Sequence, residues 1–187
     1  MRLLPTASQT VGPYLHIGLA WLTIDRLAAP DCPGQHLKIG GRVLDGDGLP
    51  VTDALVEIWQ ANAHGRYAHP EDQHVMPLTT GFRGFGRVPT DADGRYRFFT
   101  IKPGPVADPH GGLQAPHLLA SVFMRGLLKR LVTRVYFPDE PRNADDRVLR
   151  LVPAERRATL VARQVATDEL EWNIILQGTG ETVFFDC

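Results

Sequence analysis

The sequence predicts a mainly β protein: an antiparallel β-sandwich with an N-terminal arm and one short helix. Three observations carry that expectation. Apolar and polar residues alternate in short runs such as "HLKIGGRVLD", "ALVEIWQAN" and "HLLASVFM", and a period of two marks a strand with one buried face. Eighteen glycines and fifteen prolines punctuate the chain, which suits many short strands joined by tight turns. Only "VPAERRATLVARQ", residues 152–164, carries a helical stripe, with Pro153 near its first turn and Leu160 and Val161 on the apolar side.

Taken in order, residues 1–37 show little periodicity and are read as an arm; residues 38–187 are read as the sandwich. The arm holds a Gly-Pro turn in "QTVGPYLH" and a loop, "AAPDCPGQ". The first strand ends at the turn "DGDGLP". In the next, Leu55, Glu57 and Trp59 share one face and Val56 and Ile58 the other. "GRVPTDADGRYRFFTIKPG" repeats strand, turn, strand. Both Asp-x-Asp-Gly turns have glycine at the fourth position and no closing glutamate, so neither is an EF-hand loop. "HLLASVFM" and "RLVTRVYF" are strands on either side of "RGLLK". "LEWNIILQG" and "ETVFFD" are expected to close the chain as a hairpin.

Composition narrows the function. A 187-residue chain can bury one good core. Its formal net charge of −1 argues against nucleic acid, whose phosphates demand a basic surplus. The two cysteines, Cys32 and Cys187, form no Cys-x-x-Cys zinc motif and no disulfide framework. No stretch has the length of a membrane span and the N-terminus lacks a long apolar run, so a cytoplasmic protein with no membrane partner is expected.

A few residues could carry chemistry. His117 opens the strand "HLLASVF", sharing a face with Leu119, Ser121 and Phe123. A histidine there is either a metal ligand or a hydrogen-bonded buried residue, and the i+2 position that a ligand pair would use is Leu119. Tyr67, Tyr96, His64, His69 and His110 are the other donors a hard metal could use. Arg125, Lys129 and Arg130 suit a solvated surface. Arg134 lies inside an apolar strand, where a guanidinium needs a partner such as a carboxylate. Tyr14, beside Pro13 and close to Thr10, is either a packed arm residue or part of a site.

Together, "QTVGPY", "GRVLDGDGLPVTDALVEIWQANAHGRY", "FGRVPTDADGRYRFFTIKPG", "APH" and "GETVFFD" resemble the protocatechuate 3,4-dioxygenases, members of the intradiol ring-cleaving dioxygenases. The resemblance runs from about residue 8 to the end. It implies two homologous subunits, alpha and beta, with Fe(III) on the beta subunit held by two tyrosines and two histidines. Carried onto this chain, the first tyrosine is Tyr67 and the first histidine His117, while Val106 and Leu119 stand at the other two positions and Gln114 replaces an arginine. The resemblance therefore implies an alpha subunit with no metal of its own and the remnant of a lost site. It also implies that Thr10, Pro13 and Tyr14 wall the partner's iron pocket, with a similar role for Arg134 in "TRVYF". Protocatechuate and O₂ would be the substrates. Two alternatives remain open at this point. One is a self-sufficient metal enzyme using Tyr67, His117 and one of His64, His69 or His110. The other is a non-enzymatic β-sandwich binding module.

Overall fold

The computed structural model describes residues 12, 17–18 and 20–186. The expected sandwich is present. One sheet runs in the order β3 (Phe85–Pro89), β2 (Leu55–Trp59), β7 (His117–Phe123), β8 (Leu131–Tyr136), with all neighbours antiparallel. The other is built on β1 (His36–Leu44). One edge of β1 pairs antiparallel with β4 (Arg95–Ile101). Its other edge pairs parallel with β10 (Glu169–Glu171) and then β11 (Ile174–Ile175), and β9 (Arg163–Ala166) flanks β10. The two parallel pairings make this sheet mixed. A short ribbon, β5 (Val106–Ala107) with β6 (Leu113–Gln114), leads into β7.

The core lies where the inner faces of the two sheets meet. Val56, Ile58, Leu118, Ala120, Val122 and Val135 pack against Ile39, Val43, Phe98, Trp172 and Ile174. The alternation in the sequence thus assigns the faces correctly: Leu118, Ala120 and Val122 are fully buried, while Leu119, Ser121 and Phe123 point outward and are half-buried. That outward face of the first sheet carries the candidate site.

Both Asp-x-Asp-Gly turns form by one device. The side chain of Asp45 accepts from the backbone N–H of Asp47 and Leu49, and that of Asp91 from Asp93 and Arg95. Each turn closes on a glycine at positive φ. The second turn does not make a hairpin. It carries the chain from β3 in one sheet to β4 in the other.

Two expectations of local structure are corrected. Residues Ala154–Leu160 form a 3-10 helix rather than an α-helix. Pro153 and Ala158 accept i→i+3 bonds, and Leu160 is the segment's one buried side chain, so no broad apolar stripe enforces a 3.6-residue repeat. A short α-helix, α1, spans Arg147–Leu151 and is capped by Asp146. The closing hairpin is reduced to a turn: Glu181 N–H donates to Gly178 O and Thr182 N–H to Ile175 O, with no further ladder between the two segments among the described residues. β10 and β11 both pair with β1, and the tail crosses to the first sheet, where the Phe185 N–H donates to Val132 O. Gly41 makes the break between β10 and β11 possible, because a Cβ there would fall 1.9 Å from Trp172 O.

Residues 24–32 lie along the sandwich. Ile24, Arg26 and Ala28 bridge to Arg87, Phe99 and Phe82 respectively, and Leu27 is buried.

Candidate functional site

The outer face of β7 and β8 gathers most of the residues singled out in the sequence. Register places Leu119 opposite Trp59 of β2 on one side and opposite Arg134 of β8 on the other. His117 faces Tyr136, with ring centroids 6.0 Å apart. Val106 pairs with Gln114 in the ribbon that precedes β7.

Tyr67 reaches this face from a long loop that Asn62 ties down. The Asn62 amide donates to Pro77 O and Thr79 Oγ1, and its Oδ1 accepts from the N–H of His64 and Arg66. Gly65 lets the loop lie against the segment carrying Val106, since a Cβ there would sit 2.0 Å from Pro105 O. The ring of Tyr67 lies 6.2 Å from that of Trp59. Burial raises the Tyr67 phenol above its usual range, although the nearby Arg134 charge opposes the rise.

His117 is 4% exposed. Its Nδ1 lies 2.7 Å from Ala115 O. A carbonyl only accepts, so Nδ1 carries the proton and Nε2 keeps a lone pair. Burial and then the Arg134 charge pull the imidazole pKa down to about 4, against the smaller effects of the Ala115 carbonyl and Asp146. His117 is therefore neutral over the ordinary pH range. Tyr136 is likewise held neutral: burial and Asp146 push its phenol up, outweighing the Arg134 guanidinium.

Asp146 organises the floor of the cluster and escaped the sequence reading. It is fully buried, and its carboxylate accepts from Ala115 N, Tyr136 Oη and Leu149 N at 2.8, 2.9 and 2.8 Å. One side chain thus caps α1 and fixes the entrance of β7, and through Ala115 the orientation of His117. The available signal was an aspartate just before the apolar run "RVLRL", a pattern that marks a helix N-cap.

Arg134 is half-buried, and its Nη1 donates to Gln114 Oε1 at 2.7 Å. Its charge bears on Tyr67, His117 and Tyr136 together. The four positions that the family resemblance assigns to a ferric site hold residues that do not fit the ion. Val106 and Leu119 cannot coordinate a hard cation, and a guanidinium stands among the two that could.

The remaining candidates lie elsewhere. Tyr96 is in the core between the sheets, donating to Trp172 O at 2.5 Å. His69 is exposed against Trp59, and His64 and His110 are exposed. Among the described residues, no three of His, Cys, Asp or Glu are grouped so as to hold a metal. Arg125 and Lys129 pair at the surface with Asp53 and Asp186. Thr10, Pro13 and Tyr14 lie outside the described residues. Among the described residues no helix is long and apolar enough to cross a membrane.

Residues 14–178 match the family model described as Dioxygenase. The chain is 43% identical to the protocatechuate 3,4-dioxygenase alpha chain of Pseudomonas putida, an alignment covering 100% of this chain and 98% of that one. It is also 43% identical to the beta chain of the same enzyme from Burkholderia cepacia, over 80% of this chain and 67% of that one. Among solved structures, the dioxygenase domain of a dioxygenase–carbohydrate-binding fusion from Streptomyces sp. SirexAA-E superimposes with a TM-score of 0.62. That likeness has 26% identity and covers 84% of this chain and 89% of that one.

Proposed function

The chain belongs to the intradiol dioxygenase family, and from that premise we propose that it is the alpha subunit of a heteromeric protocatechuate 3,4-dioxygenase. With a homologous beta subunit it cleaves protocatechuate between its two hydroxylated carbons. Both atoms of O₂ enter the product, 3-carboxy-cis,cis-muconate. Fe(III) belongs to the beta subunit, and the assembly works in the cytoplasm. The observation that carries the reading is that the aliphatic Val106 and Leu119 stand at two of the four positions the family resemblance gives to iron ligands, with Tyr67 and His117 at the others, in a chain alike over its full length to an alpha chain.

In this reading Thr10, Pro13 and Tyr14 wall the partner's iron pocket, and Arg134 has a similar role there, contacting the substrate. A pocket closed by a second chain excludes water and strengthens every hydrogen bond made inside it. Co-expressed with a homologous chain that has both tyrosines and both histidines, this protein is expected to elute as a stoichiometric complex. Separate elution of the two chains in size-exclusion chromatography would sink the subunit assignment.

The arm has its own test. Tyr14→Phe keeps the ring and removes only the hydroxyl. In the assembled complex it is expected to leave assembly and iron content intact and to lower kcat/KM by about 10- to 100-fold, the worth of one hydrogen bond of about 1–3 kcal/mol in a dry site. Steady-state kinetics with unchanged kcat/KM would take the Tyr14 hydroxyl out of the active site.

A further inference from the structure

Arg134 does not leave its strand as a free side chain. It sits on β8, the last strand of its sheet, two residues from Tyr136 and on the same face. Its Nη1 donates to Gln114 Oε1 at 2.7 Å, and the guanidinium also hydrogen-bonds the Tyr136 hydroxyl. Both acceptors are neutral groups.

Each acceptor is itself fixed. Tyr136 is fully buried and gives its one proton to Asp146 Oδ1 at 2.9 Å. A guanidinium only donates, so the hydroxyl meets Arg134 with a lone pair, and the chain Arg134, Tyr136, Asp146 runs in one direction. Asp146 is held in turn by the N–H groups of Ala115 and Leu149. On the other side, Gln114 is 9% exposed and its backbone pairs with Val106. Its Nε2 donates to Ala107 O at 3.5 Å, which leaves the amide oxygen turned to Arg134. Two fixed acceptors, one on β6 and one on β8, thus hold one planar fork.

A loose arginine side chain loses many rotamers when it meets a ligand, whereas one already held loses few. The guanidinium has five N–H donors, so two acceptors leave others for a ligand. Arg134 is half-buried, and part of the fork stays accessible.

We propose that Gln114 and Tyr136 are positioning residues that orient Arg134 for the substrate, with Asp146 fixing Tyr136 from behind. The proposal rests on the function proposed above, in which Arg134 contacts the substrate. Gln114 and Tyr136 act only through the guanidinium, so their loss weakens substrate binding and spares kcat.

Steady-state kinetics on the assembled complex test this as a double-mutant cycle. Tyr136→Phe keeps the ring and loses the hydroxyl. Gln114→Met keeps the length and loses the acceptor. Each is expected to raise KM for protocatechuate about 3- to 10-fold, with kcat and iron content within about twofold of the wild type. Arg134→Gln is expected to raise KM at least as far. In that background neither change is expected to raise KM further, because the group they orient is gone. A residue with a merely structural role would cost the same in both backgrounds, and that result overturns the proposal. So does a wild-type KM in both single variants. A wild-type KM in Arg134→Gln would take Arg134 off the substrate, and would overturn both its role in the function proposed above and this proposal. Urea unfolding of each variant separates loss of fold from loss of orientation. If Tyr136→Phe does not assemble, the Gln114→Met cycle decides.

Discussion

Asp146→Ala is expected to destabilise the chain by about 3–5 kcal/mol, more than any substitution on the outer face of the sheet. The carboxylate is fully buried and accepts hydrogen bonds from Ala115 N, Tyr136 Oη and Leu149 N. Loss of the cap on α1 costs about 0.5–2 kcal/mol. The Ala115 N–H and the Tyr136 hydroxyl would then be buried without a partner, at about 1–3 kcal/mol each. Relief of the carboxylate's own desolvation offsets part of that sum. Asp146→Asn should cost less, because its amide oxygen can still accept from one or two of the donors. Urea unfolding of the full chain, with m unchanged between variants, gives the difference directly. A loss below about 1 kcal/mol for the alanine variant would mean that the three bonds do not hold the entrance of β7.

That one residue also marks where the sequence stops being readable. Strand faces were legible because they follow a period of two: Val56 and Ile58, or Leu118, Ala120 and Val122, could be assigned to the core from alternation alone. The glycines and aspartates of the turns were legible for a similar reason, since their chemistry acts over two to four residues. Pairing was not legible. The segments around "TDADG" look like a hairpin locally, yet β3 and β4 belong to different sheets, because each finds a partner far away in sequence. The tail "ETVFFD" turns back onto β11 only at Thr182, which bonds to Ile175, and then runs on to β8, where Phe185 bonds to Val132.

The candidate site divides in the same way. The places of Tyr67, Val106, His117 and Leu119 followed from a family resemblance: His117 and Leu119 lie on β7, Val106 on the ribbon that leads into it and Tyr67 on a separate loop. Periodicity alone put Arg134 inside a strand, but not its bond to Gln114, its influence on three ring side chains or its lack of a carboxylate among the described residues. Those facts depend on register between β7 and β8 and on where a long loop delivers Tyr67. The support around His117 was missed altogether. It runs from Asp146 through Ala115 to the imidazole, and it remains although the neighbouring ligand position is a leucine. The same contacts that would orient a ligand also close the end of the sandwich, so stability keeps them in place.

Purified without its partner, the chain is expected to take up no stoichiometric iron and to cleave no catechol, and the reason lies in charge as much as in missing donors. Tyr67 and His117 are both neutral in the folded chain, so they bring no compensating negative charge. Arg134 adds a positive one. At about 5 Å and an effective dielectric constant near 20, a unit charge repels each unit of metal charge by about 3 kcal/mol, and a ferric ion carries three. Val106→Tyr with Leu119→His would restore four donors but leave that repulsion, and the double variant is expected to remain iron-poor. Adding Arg134→Gln removes the charge, while His117 stays oriented through Ala115. The triple variant is therefore expected to load iron and to gain a tyrosinate-to-iron absorption band. Elemental analysis of the three proteins after identical loading separates the causes. Stoichiometric iron in the wild type would contradict the assignment of this chain as the metal-free subunit. Iron in the double variant equal to that in the triple would show that missing donors alone, and not the guanidinium, keep the centre empty of metal.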